Sequence, residues 1–351
     1  MDWMMLGTRA LAGAPPTREE SLAVLGADDT ATPAIVAAAH VVRHRYFGKT
    51  VKVNFLVNIK SGICPEDCHY CSQSRLSDAP IDRYGLLSAD EIVTAARRGR
   101  RYGARRICLV ASGRGPSDAD IAHIERAVRD VRAGLPDAEI CACLGLLDAA
   151  QAARLRDAGV FAYNHNLNTS EAFYGSICGT HGYDDRVATV RVAQASGLSP
   201  CSGALFGMGE SDEDIVEVAG ALRSLGADSV PVNFLIPIAG TPLGGTWSLT
   251  PMRCLRILSL MRLTMPASEL RIAGGREHHL RSLQAMGLLV ANSIFIGDYL
   301  TAKGQRPEDD IAMIRDLGFE ILGDGAEWNA GGHRGDDVAL KSARERLGPA
   351  D

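Results

Sequence analysis

The chain has 351 residues, with 37 Lys+Arg against 42 Asp+Glu, and so a formal net charge of −5. That balance argues against a mainly electrostatic nucleic-acid binder, and 46% hydrophobic with 23% charged residues argues against a disordered, collagenous or coiled-coil chain. Nine cysteines are too sparse for a small disulfide scaffold and too many to pass over.

At the N-terminus, Asp2 stands where a signal peptide wants positive charge, and the apolar run stops at Gly7. No stretch approaches the ~18 consecutive apolar residues of a membrane span. The expectation is a cytoplasmic protein with no membrane or nucleic-acid partner, in which clustered cysteines serve metal or redox chemistry.

In chain order, residues 1–45 carry Pro15-Pro16 and then TPAIVAAAHVVRHRYF, which predicts an N-terminal extension of one or two helices. From 46 to 322 a short β-rich run, a turn and a longer charged amphipathic stretch recur. The strand candidates are 51–60, 105–112, 138–145, 160–167, 199–207, 229–237, 270–275 and 292–297. Helix starts stand out at Ser88-Ala-Asp-Glu91 and Ser211-Asp-Glu-Asp214, where serine caps and the carboxylate three residues on returns the bond. About eight strands alternating with helices predict the α/β class and a TIM-type (β/α)8 barrel. Residues 323–351 are Gly- and charge-rich without periodicity and read as a loose C-terminal tail.

The sharpest local signal is Gly62-Ile-Cys64-Pro-Glu-Asp-Cys68-His-Tyr-Cys71, which puts three thiols within eight residues directly after the first strand. Barrel enzymes carry their chemistry on such loops. A ferredoxin-type cubane or a structural zinc takes four protein ligands, so three thiolates leave one metal position open. A zinc site completed by a distant residue or by His69, and unconnected core cysteines, stand as alternatives. Cys108, Cys141, Cys143 and Cys201 lie inside predicted strands, with Cys141 and Cys143 on one face. Inward residues of different strands converge inside a barrel, so a second metal site is plausible; a buried small hydrophobe is the bland reading for each. Cys178 and Cys254 fall in loop or helix segments and are given structural roles, as is Cys143.

CxxxCxxC followed by Ser-Gln-Ser, with Tyr70 before the third cysteine, is similar to the signature of the radical S-adenosylmethionine (SAM) superfamily. GICPEDCHYCSQS, YNHNLNTS (163–170), CSGALFGMGES (201–211), SVPVNFLIPIAGTPL (229–243), RIAGGRE (271–277) and ANSIFIGDYLT (291–301) in this order resemble the biotin synthase family, over residues 45–305. The resemblance implies a barrel enzyme, a sulfurtransferase converting dethiobiotin to biotin. Cys64, Cys68 and Cys71 would hold a [4Fe–4S] cluster, and Cys108, Cys141, Cys201 and Arg271 a [2Fe–2S] cluster that donates sulfur. Taken alone, Arg271 reads as an ion-pair partner, because guanidinium is a poor metal ligand.

Tyr70, Asn166, Asn168 and Arg186 would meet SAM, and Asn164, Asn166, Asn233 and Thr301 the substrate. Asn164, Asn166 and Asn168 at i, i+2 and i+4 of a strand are expected to share a face. Carboxamides suit an uncharged ureido ring, which offers one acceptor and two donors. No side-chain acid or base is expected to be catalytic, since C–H bonds on unactivated carbons lie beyond proton transfer. The resemblance further implies a homodimer, a flavodoxin-like electron donor and iron–sulfur assembly proteins as partners. Asn168 and Ala302 depart from residues of some members, aspartate and threonine, beside SAM and the substrate tail. Two other readings remain open: a radical SAM enzyme of this architecture with another small substrate, and a non-catalytic metal-binding regulator.

Overall fold

The computed structural model describes residues 1–323, so all of the expected tail except Gly323 lies outside the described residues. Three helices precede the barrel: α1 (Trp3–Leu11), α2 (Arg18–Leu25) and α3 (Thr32–Phe47). They number three because Pro15-Pro16 separates α1 from α2, which restarts on a Thr17–Glu20 capping box. α3 packs on α1 and on two later helices of the barrel's outer ring, α10 (Pro251–Thr264) and α12 (Gln284–Val290).

The barrel strands are β1 (Thr50–Lys60), β2 (Arg106–Ala111), β3 (Glu139–Cys143), β4 (Ala162–Asn164), β5 (Ser199–Cys201), β6 (Ala204–Phe206), β7 (Ser229–Phe234), β8 (Glu269–Ile272) and β9 (Ser293–Ile296). β5 and β6 together make one stave, so there are eight. Every pairing is parallel, and β9 returns to β1 through Phe295 opposite Asn54, which closes the sheet. A tenth strand, β10 (Glu320–Ile321), pairs with the start of β1. The intervening helices are α4 (Ala89–Arg101), α5 (Asp118–Gly134), α6 (Ala149–Ala158), α7 (Glu171–Tyr174), α8 (Tyr183–Ala195), α9 (Asp212–Ser224), α11 (Arg276–His279) and α13 (Pro307–Asp316). The expected capping boxes form at Ser88 and Ser211, and others at Ser117 and Asp148.

Alternation along the strands divides the core. Val53, Ile107 and Ile140 are fully buried in the layer shared with the helices. Their neighbours Cys108 and Cys141 join Ala162, Cys201, Ala273 and Phe295 in a separate inner cluster.

Two strands are shorter than their sequence patterns. The 199–207 run breaks at Ser202-Gly203, where a Cβ on Gly203 would lie 1.9 Å from the Pro231 carbonyl oxygen. The 160–167 run ends at Asn164, so the expectation of Asn164, Asn166 and Asn168 on one strand face is corrected. Asn168 takes a left-handed φ of 71° and forms an isolated bridge to Ala204. Its N–H donates to the Gly203 carbonyl at 3.1 Å, and its own carbonyl accepts from Leu205 at 2.8 Å. Asn166 and Asn168 therefore stand on the loop above the strand. No single helix among the described residues is long and apolar enough to cross a membrane.

The close approach at Gly203 makes a prediction. Gly203→Ala lowers stability by about 1–3 kcal/mol through overpacking against β7, whereas Gly220→Ala, where a Cβ meets open space in α9, is neutral or stabilises by up to about 1 kcal/mol. Thermal or denaturant unfolding of the two variants beside the parent checks both signs.

Candidate active site: two thiol sets on one barrel

The loop after β1 runs without regular structure from Ser61 to the α4 cap and carries the first three thiols at the barrel's C-terminal end. It is folded on itself: the Gly62 N–H donates to Gln73 Oε1 at 3.0 Å, Arg75 N–H to the Glu66 carbonyl at 2.9 Å and Cys71 N–H to the Cys68 carbonyl at 3.2 Å. Cys68 is buried, while Cys64 and Cys71 are half-buried. Burial pushes the thiol of Cys64 up and that of Cys71 up to about 11. Without a bound cation these sulfurs keep their protons.

The loop docks on residues 175–182, between α7 and α8. Asp67 accepts from the N–H groups of Gly179 and Thr180 at 2.9 and 3.1 Å, and His69 N–H donates to the Ile177 carbonyl at 2.9 Å. Glu66 faces His181 Nδ1 at 2.5 Å, and Arg186 Nη2 lies 2.9 Å from His181 Nε2. Because guanidinium only donates, His181 accepts on Nε2 and carries its proton on Nδ1, toward Glu66. Arg186 also donates to the Asn166 carbonyl at 2.8 Å and to the Tyr174 hydroxyl. Asn168 Nδ2 reaches the Tyr70 hydroxyl at 2.6 Å, and the hydroxyls of Ser72 and Thr301 are 2.6 Å apart. Tyr70, Asn166, Asn168, Arg186 and Thr301, which the sequence leaves scattered, thus gather around one loop.

The second set lies inside the barrel. Parallel register puts Cys108 beside Cys141, and Cys201 beside Asn164 and Ser229. The Cys141 thiol, hydrogen-bonded to both others, pulls Cys108 down and Cys201 down to about 5, while Cys141 itself is pushed up. Asn164 Nδ2 donates to Cys201 Sγ at 3.3 Å and to Asn166 Oδ1 at 3.0 Å. Asn233 sits on the same upper rim, its Oδ1 accepting from Gly274 N–H at 3.0 Å.

Arg271 is 1% exposed in its side chain, and its Nη1 is 3.9 Å from Cys201 Sγ. Burial works against its charge, but Glu269 at 2.5 Å and the thiols of Cys201 and Cys108 hold it protonated, above its ordinary range. Its remaining donors go to Ser229 at 2.8 Å and Ser293 at 3.3 Å. Beneath it Glu269 also meets Lys52 at 3.1 Å and Arg106 at 3.1 Å. Burial alone would raise the Glu269 carboxyl; Arg271, Arg106 and Lys52 hold it well below the usual carboxylate range.

The donor chemistry fits iron–sulfur clusters: soft sulfur in two groups of three, one group with a buried arginine against it. Two buried polar atoms near the inner set, His165 Nε2 and Ser202 Oγ, have no protein partner. Sequence reasoning did not single out Glu66, His181 or Cys178. Cys178 is not remote from the chemistry: its Sγ lies 3.7 Å from Cys68 Sγ and 3.4 Å from His181 Nδ1. The Cys178-x-x-His181 spacing was the available signal. Cys254, in contrast, is fully buried in the core of α10.

The radical SAM superfamily model matches residues 58–222, and the Biotin and Thiamin Synthesis associated domain matches 231–320. Biotin synthase of Saccharopolyspora erythraea is 54% identical over 345 residues, covering 98% of this chain and 94% of that protein. The chain belongs to the biotin synthase family. A Nocardioides biotin synthase is 56% identical over 318 residues, covering 91% of this chain and 85% of the relative. Two solved structures share the fold at low identity. Methylornithine synthase has a TM-score of 0.79 at 21% identity, covering 90% of this chain and 97% of its own. The FeFe-hydrogenase maturase from Carboxydothermus hydrogenoformans has 0.76 at 19%, covering 91% and 79%. As a biotin synthase family member the chain is a radical SAM enzyme on a TIM-type barrel.

The charges under the inner thiols carry a prediction for this family member. Glu269→Gln removes the carboxylate shared by Arg271, Arg106 and Lys52, leaving buried cations short of a partner, and costs about 3–5 kcal/mol. Denaturant unfolding of the apo chain measures it.

Proposed function

We propose that this chain converts dethiobiotin to biotin by radical insertion of sulfur. The observation that carries the reading is the inner thiol set: Cys108, Cys141 and Cys201 in one barrel cluster, with Arg271 and Asn164 on Cys201, below a CxxxCxxC loop. An enzyme that only generates a radical needs the upper set alone. In this reading Cys64, Cys68 and Cys71 would hold a [4Fe–4S] cluster that works with SAM, and Cys108, Cys141, Cys201 and Arg271 would hold a [2Fe–2S] cluster. When bound, these groups and SAM supply the electron, the 5′-deoxyadenosyl radical that removes hydrogen from unactivated carbons, and the sulfur that is inserted.

The chain's own residues bind, orient and exclude. Arg186, already planar against Tyr174 and His181, offers fork donors to a carboxylate of SAM. Asn166 and Asn168 face SAM with Tyr70 beside them, Asn168 and Tyr70 locking each other's orientation. Asn164, Asn166 and Asn233 present amides to the ureido ring of the substrate, and the Ser72–Thr301 hydroxyl pair presents donors to its tail. The closed barrel wall keeps water from the reacting carbons. Asp67 and Glu66 keep the cluster loop on the barrel rim, which fixes the distance between the two thiol sets. A flavodoxin-like protein donates the electrons, iron–sulfur assembly proteins load the clusters, and the working form is a cytoplasmic homodimer.

Anaerobic reconstitution with iron and sulfide, followed by SAM, reductant and dethiobiotin, yields 5′-deoxyadenosine and biotin together by mass spectrometry. Deoxyadenosine without biotin would overturn the substrate assignment and leave a radical enzyme for another small molecule. Cys64→Ala abolishes SAM cleavage. Cys201→Ala lowers biotin formation more than deoxyadenosine formation, and equal loss of both products would contradict the division between the two sets.

A further inference from the structure

Cys178 is used by neither thiol set, yet the backbone holds it opposite Cys68. His69, one residue after Cys68, donates to the carbonyl of Ile177, one residue before Cys178. Asp67, one residue before Cys68, accepts from Gly179, one residue after Cys178, at 2.9 Å. Bonds on both flanks of each cysteine thus set positions 68 and 178 face to face, and their sulfurs are 3.7 Å apart. Both residues are buried, at 8% and 3% exposure.

We propose that Cys68 and Cys178 form a redox pair: in the apo chain peroxide oxidises one of the two sulfurs, and the other closes a Cys68–Cys178 disulfide. A disulfide is about 2.05 Å long, so the sulfurs, 3.7 Å apart, close by about 1.7 Å. In the first step one sulfur of the pair attacks peroxide, the O–O bond breaks, and a sulfenic acid and hydroxide form. In the second the other sulfur attacks that sulfenyl sulfur; the S–S bond forms, the S–O bond breaks, and a second hydroxide leaves. The two thiol protons and the two hydroxides make two waters. Two thiols lose two electrons to one peroxide. The partner in reach intercepts the sulfenic acid before it passes to the irreversible sulfinic acid, and a dithiol reverses the bridge by exchange. The consequence for cluster loading rests on the assignment of Cys68 to the [4Fe–4S] site above; the bridge itself belongs to the apo chain.

The test uses the full chain, stripped of metal under anaerobic conditions, treated with hydrogen peroxide, alkylated and mapped by mass spectrometry. Cys64, Cys68 and Cys71 share one tryptic peptide, so fragment ions assign the link. The expected product joins Cys68 to Cys178, disappears with dithiothreitol, and blocks the visible absorption of a rebuilt four-iron cluster until that reductant is added. Cys178→Ser and Cys68→Ser, each checked for native circular dichroism, lose the linked peptide, and one of them shows a several-fold rise in sulfinic acid on the remaining sulfur at the same peroxide dose. A link from Cys178 to Cys64 or Cys71, or no rise in over-oxidation of the remaining sulfur in either variant, would overturn the proposal. A Cys68–Cys178 bridge that leaves cluster rebuilding unaffected would overturn the assignment of Cys68 to the cluster while the redox pair stands.

Discussion

Parallel register around a closed sheet is the constraint on which the rest depends. Side chains alternate along each strand, so one register shift of a single residue would turn Cys108 or Cys141 out into the helix layer and bring Ile107 or Ile140 in. Closure of β9 on β1 fixes that register from both sides. It also creates the condition under which an arginine can sit in the interior. Arg271 remains charged beside three thiols because Glu269 is held at its back, and Glu269 is in turn held by Lys52 and Arg106. The polar floor of the barrel and the sulfur layer above it therefore stand or fall together.

The upper thiol set depends on a different kind of support. Its loop has no regular structure, so its shape comes from bonds within itself and from the 175–182 segment more than 100 residues later. Asp67 and Glu66, the residues between the first two cysteines, are the tethers. The same contacts orient Arg186 through His181, so the pieces assigned to SAM and those assigned to the cluster share one scaffold. One consequence is that a cysteine of the supporting segment comes to lie on a cysteine of the supported one.

Much of this was legible in the chain. Eight β-rich runs separated by capped helices predict parallel strands covered by helices, and eight is the number that closes a TIM-type barrel. The CxxxCxxC loop declares itself by spacing, and alternation flags Cys108, Cys141 and Cys201. The failures have physical causes. The 160–167 run looks like a full strand, but regular pairing stops at Asn164, and further on Asn168 takes a left-handed φ. The 199–207 run looks continuous, but it breaks at Ser202-Gly203, where any side chain on Gly203 would run into the Pro231 carbonyl. Cys178 looked like a filler in a loop because nothing within its own segment marks its partner.

The amino-acid sequence by itself determined which residues can bind soft metals, which strands can form and which face each strand buries, since those follow from side-chain chemistry and a period of two. Only the tertiary structure decided which sulfurs meet. The distance between Cys68 and Cys178, the seat of Arg271 against Cys201 and the chain from Glu66 through His181 to Arg186 join residues far apart in sequence. Local propensity carries no information about such pairs; barrel closure and loop docking supply it.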